Sequence, residues 1–333
     1  MMSKISSESY GILDDRYIYL ELEMGKGKTS KVYKAKDFFS EKNYAVKIFE
    51  EYSQEFENEV LINKKILNSK KNTNFFIKYI SSSLNGIFYI DGSKVKACYI
   101  LYELATKGDL CNYLINNQNG FNEKNCKIMC YKILKALQAL HELGICHRDI
   151  KSDNILLDGE RFDVKIGDFG VSSFFFVENK KKLQKGKYGT YLYMAKEVYK
   201  KPKYDGELAD IYSTRILFFT LLTGKFPFPS AIKDGIIINP YYKFIEDKDY
   251  ETYWEKLKVD YSIDGLSSDF KDLFLQMVDS EPSERPTISK ILNHNWMKEI
   301  TNLNEEEFKK CEENLISELK EREENLKKPK NIV

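Results

Sequence analysis

The chain has almost no net charge: 52 Lys and Arg stand against 51 Asp and Glu over 333 residues, a formal +1. Without an excess of one sign there is no electrostatic attraction for nucleic acid or for an anionic membrane, and neither is expected as a partner. Long apolar runs are missing too. No stretch approaches the roughly 18 residues that span a bilayer, Met1-Met2 is followed by polar SKISSES rather than a signal core, and no glycine follows the initiator for myristoylation. The six cysteines, at 98, 111, 126, 130, 146 and 311, form no CxxC pair and no Cys/His set at zinc spacing. This is the pattern of reduced thiols in an intracellular protein, cytoplasmic or nuclear. His141 and His147 are separated by an expected helix end, so no metal triad is expected, and there is no internal repeat or low-complexity linker. What is present is 42% apolar content with 14% aromatics, enough for sizeable cores.

Arginine is the scarcest of the charged types. Only six of the 52 basic residues are Arg, while Lys, Asn and Tyr abound. Where Arg survives such a bias, a planar fork that Lys cannot imitate is the physical reason to look for. Arg148 lies in HRDIKSDN (147–154) and Arg285 in EPSERPT.

Residues 17–48 alternate apolar and polar positions about a glycine-rich turn, and YAVKIF (44–49) reads as a strand. From Ser53 to about Leu67 the spacing of Phe56, Val60, Ile66 and Leu67 predicts a helix with Glu59 on its apolar stripe, where a carboxylate needs a partner. FFIKYISSS, IFYI and VKACYILYEL read as further strands, with Asp91-Gly92 as a hairpin turn. Residues 122–142 form a long helix carrying Met129, Ile133, Leu137 and Leu140, and LADIYSTRILFFTLL reads as a buried central helix.

HRDIKSDN is followed by DFG at 168–170, with strand-like ILL and VKI between. Moving a phosphoryl group from ATP to a hydroxyl needs a base and ligands for magnesium. Asp149 suits the proton, Asp168 and Asn154 suit the metal, and Lys151 adds a mobile positive charge for the phosphoryl group. Together these residues resemble the catalytic and magnesium-binding loops of eukaryotic protein kinases. The resemblance covers about residues 17–300. It implies an α+β, bilobal protein kinase fold with a small β-rich N-lobe (17–104) and a larger α-helical C-lobe (105–300), after an N-terminal extension (1–16) and before a C-terminal amphipathic helical tail (301–333).

The same resemblance implies further roles. GKGKTSKV (25–32) is similar to the kinase glycine-rich loop, with Gly25 and Gly27 approaching the triphosphate, Val32 covering adenine, and Ser30 standing where a third glycine is usual. Lys47 of AVK becomes the lysine that grips the α- and β-phosphates. Its ion-pair partner is Glu59, chosen from Glu55, Glu57 and Glu59. Asn63, four residues on, occupies a usually apolar position and is expected to loosen the packing on Phe169 or to be satisfied by water. In ILYELATKGDL, Tyr102 falls at the gatekeeper, Glu103 and Ala105 offer backbone groups to adenine, and Asp109 lies near the ribose. Met24, Val32, Ala45 and Leu156 would sandwich the ring.

GTYLYMAKE (189–197) resembles the segment that receives a protein substrate. Thr190 would help place Asp149 and Lys151, which favours Ser/Thr hydroxyls. Glu197 would pair with Arg285, and Asp210 would brace the catalytic loop. Lys196 replaces a usual Pro and Arg215 a usual Gly. DFGVS and the YM pair faintly resemble MAP kinase kinases, yet residues 174–189 hold no Ser or Thr, so Arg148 has no ordinary phosphate to receive there; Glu178 or Tyr188 are the candidate substitutes, or the Lys run keeps the loop extended, and the alternative acceptors are Ser172, Ser173 and Thr190. The Lys, Asn and Tyr bias resembles that of orphan protein kinases of malaria parasites. The expected cofactors are ATP and Mg2+, the expected partner is a protein substrate, and the chain itself is expected to be a monomer. A further partner is conceivable at the 226–262 region or the C-terminal helix, although packing and fold-back are the preferred readings there. The alternative is a pseudokinase scaffold, disfavoured because Lys47, Asp149, Asn154 and Asp168 are all present.

Overall fold

The structure, a computed structural model, describes residues 10–13, 16–27, 29–69, 72–90, 92–115, 120–228, 231–233, 236–238, 240–278 and 281–327. Asp91 of the expected hairpin turn, Lys28 of the glycine-rich stretch, most of the 1–16 extension, parts of 226–262 and the end of the tail lie outside the described residues. The chain divides into two compact units, 1–107 with 165–172, and 108–164 with 173–333.

The first unit is built from β1 (Tyr10–Leu13), β2 (Arg16–Lys26), β3 (Ser30–Asp37), β4 (Asn43–Phe49), α1 (Gln54–Ser69), β5 (Tyr79–Ile90) and β6 (Ser93–Glu103). The six strands close into an antiparallel barrel in the order β1-β2-β3-β4-β6-β5, with β1 pairing β5. Alternation fills it: Leu20, Ala35, Val46, Ile48, Phe88, Tyr99 and Leu101 point to one core. Pairing thus begins before residue 17. The stretches ISSS and IFYI, read as two strands, are one, bent by a register shift between Ser83 and Gly86. On α1 the buried face is Phe56, Glu59, Ile62, Asn63 and Ile66, while Leu67 is exposed. The inward stripe is therefore centred on two polar residues, and the expected place of Leu67 on it is corrected.

The second unit opens with α2 (Leu110–Ile115) and α3 (Glu123–Glu142), then the short strands β7 (Ile145–Cys146), β8 (Ile155–Asp158), β9 (Asp163–Ile166, its last two residues in the first unit), β10 (Ser173–Phe174), β11 (Phe176–Val177) and β12 (Lys180–Lys181). After them come α4 (Lys196–Lys200), α5 (Gly206–Thr223), β13 (Ala231–Lys233), β14 (Ile236–Ile238), α6 (Pro240–Glu246), α7 (Tyr250–Tyr261), α8 (Ser268–Val278), α9 (Ile288–Leu292), α10 (Asn295–Thr301) and α11 (Glu305–Lys327). Asn122 caps α3, accepting from the Asn125 amide at 3.0 Å, and Met129, Ile133, Leu137 and Leu140 are its buried stripe. Asp205 caps α5, which is buried on every side. In the 226–262 region Tyr253 stacks on Phe274 at 6.0 Å, so these aromatics pack. The C-terminal helix α11 buries Cys311, Leu315 and Leu319. It is fixed to the unit by Lys132 to Glu312 at 2.6 Å and by Arg322, which donates to the carbonyls of Tyr113 and Gly120 at 3.1 and 2.8 Å. Of the two readings of this helix, the structure has fold-back. No helix among the described residues is long and apolar enough to cross a membrane.

Candidate active site

In the first unit the polar side chains gather on Lys47. β4 holds this residue in register with Val32 of β3 and Ile100 of β6. Its Nζ lies 2.7 Å from Glu59 Oε2 and 2.7 Å from Asp168 Oδ1. The Lys47 and Glu59 side chains are 8% and 0% exposed, whereas that of Asp168 is 49% exposed, so the pair is sealed while Asp168 keeps a face open to a ligand. Burial opposes the lysine charge, but the Glu59 and Asp168 carboxylates outweigh it and raise its pKa. The other two acidic candidates on α1 are engaged elsewhere: Glu55 accepts from Thr29 Oγ1 at 2.7 Å and Glu57 from Tyr52 Oη at 2.9 Å.

The second oxygen of Glu59 is held as well. Tyr102 Oη donates to Glu59 Oε1 at 2.8 Å, and Asn63 Nδ2 donates to Tyr102 Oη at 2.9 Å and to the Glu59 carbonyl at 2.8 Å. Burial and then the Glu59 charge push Tyr102 well above its ordinary pKa, which keeps it a donor. Asn63 is thus satisfied by protein groups, and the expectation that it loosens its surroundings is corrected: it ties α1 to β6. Asn58 adds a bond from α1 to the Ser172 carbonyl at 2.8 Å, and the Phe169 ring meets Phe76 edge-on at 6.2 Å. Asp168 sits at φ 57°, a left-handed backbone that costs a non-glycine residue about 1–3 kcal/mol and recurs at functional positions.

In the second unit the centre is Asp149. Its Oδ1 accepts the Thr190 backbone amide at 2.7 Å, and its Oδ2 lies 3.2 Å from both Lys151 Nζ and Asn154 Nδ2. Lys151 Nζ also donates to Thr190 Oγ1 at 2.9 Å, and Asn154 Nδ2 to the Asp149 carbonyl at 2.8 Å. The amide nitrogen of Asn154 is thereby used, which leaves its oxygen as the atom for a cation. Beneath the loop, Asp210 accepts the backbone amides of His147 and Arg148, each at 2.7 Å, and lies 2.9 Å from His141 Nε2. Arg285 forks onto Glu197 at 2.6 and 3.0 Å and onto the Leu208 carbonyl at 2.9 Å.

Residues 19–297 match the protein kinase domain family. The chain belongs to that family. It is 28% identical over 294 residues to CBL-interacting protein kinase 26 of Oryza sativa subsp. japonica, covering 88% of this chain and 54% of that protein. To the SNF-related serine/threonine-protein kinase of Homo sapiens it is 29% identical over 203 residues, 61% of this chain and 24% of that protein. To CBL-interacting protein kinase 22 of rice it is 30% identical over 206 residues, 60% and 42%. The chain spans about half the length, or less, of these curated relatives.

The kinase domain carries its remaining expected positions in different ways. The hydrogen of the Glu103 amide is given to the Lys78 carbonyl at 2.9 Å, so an adenine would have to use the Glu103 carbonyl. Asp109, expected near a ribose, takes the Asn112 amide at 3.0 Å and the Asn112 side chain at 2.8 Å. Its carboxylate is thus committed to the start of α2. Met24 is exposed, and Val32, Ala45 and Ala105 of the first unit and Leu156 of the second are each half-buried. A side chain added at Gly25 would meet nothing within 4 Å, which means that the space above this turn is open, while the Gly27 amide closes the turn on the Ser30 carbonyl at 2.8 Å. Lys196 pairs with Glu246. Arg215 is buried among the rings of Tyr212, Phe228 and Phe274, its Cζ 4.2, 4.9 and 4.7 Å from their centroids.

Sequence reasoning missed the hydroxyl of Tyr102, the amide of Asn63, and His141 on Asp210. The signal for the first two was available: two polar residues at positions expected to be buried must find partners, and each is the other's.

Proposed function

We propose that this kinase domain transfers the γ-phosphoryl group of ATP to Ser or Thr hydroxyls of protein substrates. The observation that carries this reading is Asp149, whose carboxylate is fixed by the Thr190 amide beside Lys151 and Asn154. When bound, ATP supplies the phosphoryl group and Mg2+ the charge that offsets its phosphates. Asp168 and Asn154 offer hard oxygen ligands of the kind Mg2+ prefers, and the open space at Gly25 leaves room for phosphate. Lys47, held by Glu59, grips the non-transferred phosphates. Asp149 accepts the hydroxyl proton as the new O–P bond forms and the bond to the leaving ADP oxygen breaks, while Lys151 offsets charge on the transferring group.

The Thr190 contacts support Ser/Thr hydroxyls as acceptors, and six free cysteines support an intracellular setting. A placement among orphan kinases of malaria parasites, with traits of MAP kinase kinases, rests on the Lys, Asn and Tyr bias and on DFGVS with the YM pair. Incubation with labelled ATP, Mg2+ and generic protein substrates should label Ser and Thr, and chelation of Mg2+ should abolish the signal. Equal labelling by the wild type, Asp149→Asn and Lys47→Met would instead indicate a scaffold without turnover.

A further inference from the structure

Arg148 sits at φ 67° on the loop that carries Asp149, and its guanidinium is wrapped by residues 185–188. Nη1 donates to the Lys185 carbonyl at 3.3 Å, and the Tyr188 ring lies over the guanidinium face, its centroid 4.5 Å from Cζ. Gly186, at φ 84°, makes the fold-back possible, since a side chain there would come within 2.4 Å of the Tyr188 ring. The contact continues residue by residue. At Gly189 an added side chain would strike the Arg148 carbonyl at 2.5 Å, and the Thr190 amide then donates to Asp149 Oδ1 at 2.7 Å. Three consecutive residues of the facing segment thus dress two consecutive residues of the loop.

The rest of the segment is also held by unmodified groups. Lys181 Nζ lies 2.7 Å from both Asp205 and Glu207, and Gln184 exchanges backbone hydrogen bonds with Tyr204 at 2.7 and 3.0 Å. Residues 174–189 contain no Ser or Thr that could carry a phosphate to Arg148.

We propose that Tyr188 is a positioning residue whose ring clamps Arg148, so that the segment presents the Thr190 amide to Asp149 without a phosphate. The catalytic half of this rests on the kinase reading; the clamp itself does not. A cation over an aromatic face is an attraction of the ring and not of the hydroxyl. In the full chain, Tyr188→Ala should lower kcat about fivefold to thirtyfold with the KM for ATP unchanged. Tyr188→Phe should restore it to within about twofold, and phosphatase treatment of the wild type should leave kcat intact. Trypsin provides a readout that needs no turnover: cleavage after Lys185 and Lys187 should accelerate about tenfold in Tyr188→Ala and not in Tyr188→Phe. Unchanged cleavage in Tyr188→Ala, an unchanged kcat despite faster cleavage, a Phe variant as poor as Ala, or loss of turnover with phosphatase would each overturn the proposal. A wild type without turnover defeats the kinase reading instead, and the cleavage rates still decide the clamp.

Discussion

The two polar clusters, one around Lys47 and one around Asp149, are held by different means. The first is joined chiefly through side chains, drawn from β4, α1, β6 and the 165–172 stretch, and its inner members are sealed from solvent. The second lies within one loop and one facing segment, and its decisive bond comes from a backbone amide. A sealed set of charges holds its geometry because any unpaired member would be costly. A loop held by amides holds its geometry because the backbone has nowhere else to go. Damage to the first should therefore cost stability as well as turnover, damage to the second chiefly turnover.

The largest expected effect is on the second cluster: Asp149→Asn should cut kcat by about 100-fold to 10,000-fold in a phosphotransfer assay while the urea midpoint hardly moves. Next comes Lys47→Met, which strands the Glu59 carboxylate in the core and should cost about 3–5 kcal/mol in urea unfolding. Adding Glu59→Leu should return much of that loss, and a double variant no better than the single would show that the pair is not the cause. Tyr102→Phe removes one donor from Glu59 and the acceptor of Asn63, for an expected loss of about 1–3 kcal/mol by the same measurement. The smallest effect is expected outside both clusters. Arg215 is a buried cation with rings around it and, among the described residues, no hydrogen-bond partner on Nε, Nη1 or Nη2. Burial lowers its pKa. Arg215→Met should be neutral or stabilising by about 1 kcal/mol, and a large loss would show that the aromatic box alone offsets its charge.

The same contrast explains how far the sequence could be read. Asp149, Lys151 and Asn154 lie within six consecutive residues, so their chemistry is visible as a string. The long helices α3 and α5 follow from spacing and from all-round apolarity. Glu59 could be chosen from a group of three by its place on the apolar stripe, but what occupies Glu55 and Glu57 depends on where Thr29 and Tyr52 reach. Tyr102 and Asn63 are 39 residues apart, and their bond exists only once β6 and α1 are side by side. Arg148 was legible as a cation in need of a partner. That the partner is an aromatic ring depends on the turn at Gly186.

Closure of the barrel has a consequence for recognition. With β1 bonded to β5 at Ile87–Tyr89 and to β2 at Arg16–Tyr19, that corner of the first unit's principal sheet offers no free row of amides and carbonyls. An extended peptide cannot lengthen the sheet along that stretch, so anything that docks there must read side chains rather than main chain.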